Sequence, residues 1–119
     1  MTKLLYIDDC PDMLKLSAAT LVSQGFVVTT CMSPSEGLAK LRTQDFDAVV
    51  TDYEMPDMNG ISFAARARSG GYVRPIVLFT GSPDIGGEMI PGIDAIVRKG
   101  MHPLVLGSTL IECLAGIAA

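Results

Sequence analysis

The sequence predicts an α/β fold, a parallel sheet covered by helices on both faces, and three observations carry that expectation. Short apolar runs alternate with segments of helical periodicity. Of the 119 residues, 49% are apolar, which suits a sheet buried on both sides better than one with a wet face. Four of the five apolar runs stop at a polar residue of a particular kind: Leu4-Leu5-Tyr6-Ile7 at Asp8-Asp9, Ala48-Val49-Val50-Thr51 at Asp52, Ile76-Val77-Leu78-Phe79 at Thr80, and Ala95-Ile96-Val97 at Arg98-Lys99. Only Phe26-Val27-Val28 ends without one. Parallel strands would deliver these groups to one sheet edge, where open α/β sheets bind ligands.

The first helix is expected from Pro11 to Gln24, with Pro11 in its first turn, an apolar stripe of Met13, Leu14, Leu16, Ala18, Leu21 and Val22, and Gly25 as its stop. After the second strand, Ser33 reads as an N-cap, Pro34 as the first helical residue and Glu36 as the capping-box partner, with Leu38 and Leu41 facing the sheet. The third helix begins near Gly60, turns Ile61, Phe63, Ala64 and Ala67 inward, and ends at Ser69-Gly70-Gly71. Between Thr80 and Asp94 the glycines and prolines Gly81, Pro83, Gly86, Gly87, Pro91 and Gly92 leave room for a fourth helix of one or two turns at most. The last helix runs from Pro103 to Ala118, with Leu104, Leu106, Leu110, Ile111 and Leu114 as its buried side.

The length fits one domain over residues 1–119. A net charge of -4 and the lack of any basic run argue against nucleic acid as a partner. Cys10, Cys31 and Cys113 are odd in number and show no CxxC spacing, so they read as reduced thiols, not as a disulfide framework or zinc site. No signal peptide is recognisable, and no apolar run approaches the roughly 18 residues of a membrane span. The expectation is a cytoplasmic protein without a membrane partner.

Asp8, Asp9 and Asp52 repel one another at one sheet edge unless a cation lies among them, and an oxygen-only donor set suits a hard divalent ion such as Mg²⁺. Lys99 adds a point charge for a phosphoryl oxygen and Thr80 a hydroxyl donor for another. The long turn from Tyr53 to Gly60 can place a main-chain carbonyl beside the metal and leave Asp52 exposed as the nucleophile, with Asp8 and Asp9 as ligands.

Asp8-Asp9, then Asp52-x-x-Met55-Pro56-x-x-x-Gly60, then Thr80-Gly81, then Lys99, in this order and at about these distances, resembles the receiver domain of bacterial two-component response regulators, over nearly the whole chain. The resemblance implies a flavodoxin-like, doubly wound five-stranded sheet of order 2-1-3-4-5. It also implies phosphorylation of Asp52 by a histidine kinase or histidine phosphotransfer protein, changing interactions with a downstream protein. Mg²⁺ would sit on Asp9, Asp52 and the Glu54 carbonyl, with Asp8 acting through water, and Thr80 and Lys99 would hold the phosphoryl oxygens. Two positions depart from the family pattern: Ile96 stands where members carry an aromatic residue that changes rotamer with the Thr, and Gly100 stands where most have a proline.

Each element alone has a plainer explanation. Asp8-Asp9 could cap a helix, Asp52 a turn, Thr80 could satisfy a loop amide, and Lys99 could be a solvated charge. Their joint placement after separate strands favours the site. His102 reads as a helix-start residue, Cys10 as a small buried or half-buried thiol, and Met55 and Met58 as packing residues. Two other functions compete: a small Mg²⁺-dependent phosphohydrolase with an aspartyl-phosphate intermediate, and a flavin or nucleotide module. The first lacks a visible cap and general acid, and the second is disfavoured by the acidic, glycine-free turn Asp8-Asp9-Cys10-Pro11.

Overall fold

A computed structural model describes residues 1–116. Five strands, β1 (Lys3–Ile7), β2 (Val27–Cys31), β3 (Ala48–Thr51), β4 (Ile76–Thr80) and β5 (Ala95–Arg98), form one parallel sheet in the order β2-β1-β3-β4-β5. Four helices connect or follow them: α1 (Pro11–Ser23), α2 (Pro34–Thr43), α3 (Gly60–Ser69) and α4 (Val105–Leu114). This is the expected doubly wound, flavodoxin-like sheet.

Strand alternation divides the core into two layers. Leu4, Tyr6, Ala48, Val50, Val77, Phe79 and Val97 face α1 and α4, where they meet Leu14, Leu21, Leu106 and Leu110. Leu5, Ile7, Val49 and Ile76 face the other way, against Phe63, Ala64 and Ala67 of α3 and the partly buried Leu38 and Leu41 of α2. The three central strands are buried on both faces, as their uninterrupted apolar runs require.

Local signals set the helix starts. The Ser33 side chain accepts from the Glu36 N–H at 3.2 Å, while the Glu36 carboxylate reaches back to the Met32 N–H, one residue before the capping-box target. Asn59 caps α3 by accepting from the Ser62 N–H at 2.9 Å. Gly60, the first residue of α3, lies directly against the Asp52 backbone carbonyl and the Leu78 side chain, so there is no space for a Cβ.

Several expectations need correction. Leu16 and Val22 are 68% and 56% exposed, because at 100° per residue they point away from the line through Leu14 and Leu21. Leu104, Ile111 and Leu114 are likewise exposed, and α4 buries a narrower face of Leu106, Gly107 and Leu110. The second strand is longer than its apolar run, taking in Thr29, Thr30 and Cys31 at the sheet edge, where one side of the hydrogen-bonding ladder is open. The expected helix end at Ala118 lies outside the described residues.

No helix forms between β4 and β5; the segment is a series of turns. Arg68 of α3 holds its far end, donating to the Gly92 carbonyl from Nε at 3.2 Å and Nη2 at 3.0 Å and pairing with Asp94 at 2.9 Å. Side-chain donors thus satisfy carbonyls that a helix would have satisfied internally.

A Gly60→Ala variant is expected to lose about 1 to 3 kcal/mol in urea denaturation, since its methyl group meets fixed backbone. Gly87→Ala, with nothing within 4 Å of the added carbon, should stay within about 1 kcal/mol of the parent. Equal stabilities would show that the close approach of α3 to Asp52 is not a packing constraint.

Candidate functional site

The sheet hydrogen bonding runs one residue past the ends of β1, β3 and β5, and this places the chemistry. The Asp8 N–H donates to the Cys31 carbonyl at 3.1 Å, the Asp52 N–H to the Ile7 carbonyl at 3.0 Å, and the Lys99 N–H to the Thr80 carbonyl at 3.1 Å. Asp8, Asp52 and Lys99 are therefore held by backbone as rigid as the strands themselves. Ile7 pairs with Thr51 in register, so the two following aspartates are neighbours.

Lys99 brings the side chains together. Its Nζ lies 2.8 Å from Asp8 Oδ2 and 3.2 Å from Asp52 Oδ2, and 5.7 Å from the centre of the Phe79 ring. Oxygens of Asp8, Asp9 and Asp52 all fall within 4.8 Å of one another. Asp8 is fully buried and Asp9 is exposed at the rim; Asp52, expected to be exposed, is instead nearly buried, because its backbone continues β3 between β1 and β4. Three carboxylates against one ammonium leave two negative charges, and the donors are all oxygen, so the set fits a hard divalent cation.

The remaining carboxylate oxygens are fixed by backbone donors. Asp8 Oδ1 accepts from the Cys10 N–H at 3.0 Å, and Asp52 Oδ1 from the Tyr53 N–H at 2.7 Å. Burial pushes the Asp52 carboxyl above the usual range, and Asp8 adds to this while Lys99 and the Tyr53 N–H oppose it. Burial alone would lower the Lys99 ammonium, but its bonds to Asp8 and Asp52 outweigh that and raise it.

Glu54 is exposed and lines a shallow groove with Asp9, Tyr53, Met55, Pro56 and Asn59, so the turn after Asp52 does lie beside the acidic cluster. Asp57 in that turn adopts φ 73, the left-handed conformation in a tight bend. Thr80 is buried at the same edge, where its hydroxyl oxygen accepts from the Ser82 N–H at 3.0 Å. Met55 and Met58 pack against the α3 layer, and His102 Nδ1 accepts from the Leu104 N–H just before α4, both as expected. Cys10 is exposed, contrary to expectation, because the chain leaves the sheet edge at this point.

Arg98 carried no functional reading in the sequence, yet its Nη1 donates to the Ser82 carbonyl at 2.6 Å. Alternation gave the available signal: a residue next to Lys99 in a strand points to the opposite face.

The same arrangement of elements occurs in solved structures. The chemotaxis response regulator CheY4 of Vibrio cholerae superposes with a TM-score of 0.83 at 30% identity, over 95% of this chain and 98% of that one. A structure of histidine kinase ThkA in complex with response regulator protein TrrA, from Thermotoga maritima, matches with a TM-score of 0.86 at 26% identity, over 96% and 99%. The transcriptional regulatory protein GlrR of Escherichia coli (strain K12) is 34% identical over an alignment of 114 residues that covers 93% of this chain but 26% of that protein. The chain thus spans about a quarter of the length of that relative. Residues 4–109 match the sequence profile of the response regulator receiver domain, and the chain belongs to that family.

Proposed function

We propose that Asp52 takes a phosphoryl group from a phosphohistidine on a histidine kinase or histidine phosphotransfer protein, and that the modification changes which proteins the chain binds. The observation that carries this reading is the position of Lys99, whose ammonium touches Asp52 and Asp8 at once beside the exposed Asp9. We assign the receiver domain to residues 1–119 and its action to the cytoplasm, in keeping with three cysteines that are free in the fold. The histidine kinase in complex with TrrA supports a kinase as partner.

An oxygen of the Asp52 carboxylate attacks phosphorus while the phosphorus–nitrogen bond of the donor breaks, leaving its electron pair on the imidazole. The Tyr53 N–H on Oδ1 and Lys99 on Oδ2 fix the plane of the attacking carboxylate, which supplies orientation before reaction. Lys99 then pairs with one phosphoryl oxygen, and the Thr80 hydroxyl donates to another. Asp8, Asp9, Asp52 and the Glu54 main-chain carbonyl would hold Mg²⁺, which supplies positive charge against the charge on the phosphoryl oxygens. In dephosphorylation, a separate reaction, water attacks phosphorus, the bond between phosphorus and the Asp52 carboxylate oxygen breaks, and inorganic phosphate and a proton leave the regenerated carboxylate.

On this reading the chain catalyses only its own phosphorylation and dephosphorylation. Membership in the receiver family, joined to the open rim at Asp9, favours it over a phosphohydrolase with a substrate-covering cap.

Incubation with Mg²⁺ and acetyl phosphate is expected to give one hydroxylamine-sensitive adduct at Asp52 by mass spectrometry, absent in Asp52→Asn and after chelation. An adduct elsewhere, or rapid turnover of many phosphate esters, would overturn the assignment. Lys99→Met should lose stability in chelator, because it strands two buried carboxylates. Added Mg²⁺ should restore more of that stability than it adds to the parent, with roughly tenfold tighter binding, or about 1.4 kcal/mol. Identical Mg²⁺ titrations of thermal melting for the two proteins would refute the role of Lys99 as a competing cation.

A further inference from the structure

On the sheet face of Thr80, β5 presents Ile96 and Arg98, and Ile96 has no polar atom with which to join Thr80 to the loop after β4. Arg98 is placed to do so. It ends β5, pairs in register with Thr80, and lies on the sheet face opposite Ala95 and Val97. There its guanidinium reaches across to the loop after β4.

Ser82 is the meeting point. Although it belongs to an irregular segment it is buried, and its main-chain groups are bound at both ends. Its N–H donates to the Thr80 hydroxyl oxygen at 3.0 Å, and its carbonyl accepts from Arg98 Nη1 at 2.6 Å, a short charge-assisted bond. Its own hydroxyl accepts from the Asp84 N–H at 3.2 Å. Pro83 follows and biases the backbone of Ser82 toward extended conformations, which narrows the rotation between the two peptide groups flanking Ser82. A displacement of the Thr80 hydroxyl therefore reaches the carbonyl that Arg98 holds.

Beyond Ser82 the Ile85 side chain is buried and its N–H donates to the Ser82 carbonyl at 3.4 Å, and the chain is then bare. Gly86, Gly87, Glu88 and Met89 are exposed, Met89 by 98%, until Arg68 holds Gly92. The segment thus has one end anchored to α3 and the other tied to Thr80 and Arg98.

We propose that Arg98 is a positioning residue that transmits the state of Thr80, through the Ser82 peptide groups, to the segment 83–91. This rests on the phosphoacceptor reading of Asp52. When the Thr80 hydroxyl turns to a phosphoryl oxygen, Ser82 follows, the bond to Arg98 is remade, and the bare segment between the two arginine contacts changes position. The linkage is reciprocal, so the state of Arg98 also biases that of Thr80.

The test uses the full chain loaded with Mg²⁺ and beryllofluoride, followed by NMR of the Met89 methyl group and the amides of Asp52 and Lys99. In the parent all three are expected to shift. In Arg98→Met, which keeps the apolar stem, the Asp52 and Lys99 signals should shift as before while the Met89 shift falls to less than half. Arg98→Lys should recover most of it, since an ammonium can also donate to the Ser82 carbonyl. An undiminished Met89 response in Arg98→Met would overturn the proposal, as would a parent in which Lys99 responds and Met89 does not. A second measurement needs no variant: the Arg98 guanidinium resonance of the parent must move on loading, and an unmoved signal overturns the proposal. If Asp52 and Lys99 themselves stay unshifted in the parent, the phosphoacceptor reading fails and this inference falls with it.

Discussion

Like charges packed at the end of a sheet set the terms for this protein. Oxygens of Asp8 and Asp52 approach within 4.8 Å, and two carboxylates at that distance repel by about 3 to 4 kcal/mol at an effective dielectric constant of about 20. Lys99, at 2.8 and 3.2 Å, attracts each of them more strongly than they repel each other. The attraction is available only because β1, β3 and β5 end at the same edge. Since β4 lies between β3 and β5, the ammonium has to reach across Phe79, whose ring it overlies.

Such a site requires a stiff support, and the two core layers provide it. A side chain on a mobile loop would move away from its neighbours' charge, whereas Asp8, Asp52 and Lys99 continue strand hydrogen bonds and have no such freedom. The close contact of Gly60 with the Asp52 carbonyl extends this to α3, so the turn carrying Glu54 leaves and returns at fixed points. Residual negative charge stays concentrated where a cation can reach it through the exposed Asp9.

The strands and the convergence of Asp8, Asp52, Thr80 and Lys99 on one edge were legible in the sequence, because strand periodicity and chain alternation leave few topologies for a parallel sheet. The start of α2 was legible for a local reason, since Ser33 and Pro34 act within one turn. Which apolar residues of α1 and α4 stay in water was not. Leu16 and Ile111 fit a helical stripe by composition, and their exposure depends on how each helix is rotated against a sheet whose orientation no local pattern encodes. The contacts of Arg68 and Arg98 were hidden for a related reason. Apart from the ion pair of Arg68 with Asp94, they end on main-chain carbonyls, which every residue possesses, so nothing in those partners' identity marks them.

The missing helix between β4 and β5 follows from the same accounting of carbonyl groups. Glycines and prolines raise the cost of helix at Gly81, Pro83, Gly86, Gly87 and Pro91, while Arg68 and Arg98 offer strong donors at the two ends of the segment. Once Ser82 and Gly92 are bound in this way, the residues between them reach water and need no helix to satisfy their backbone. Ile85 alone fixes the stretch from within, as a buried side chain in an otherwise open run. A helix would have moved as one body, coupled along its length by internal hydrogen bonds. A segment held at its ends and at Ile85 has no such cooperativity, and its position depends on those few contacts, one of which joins Ser82 to Thr80 at the sheet edge.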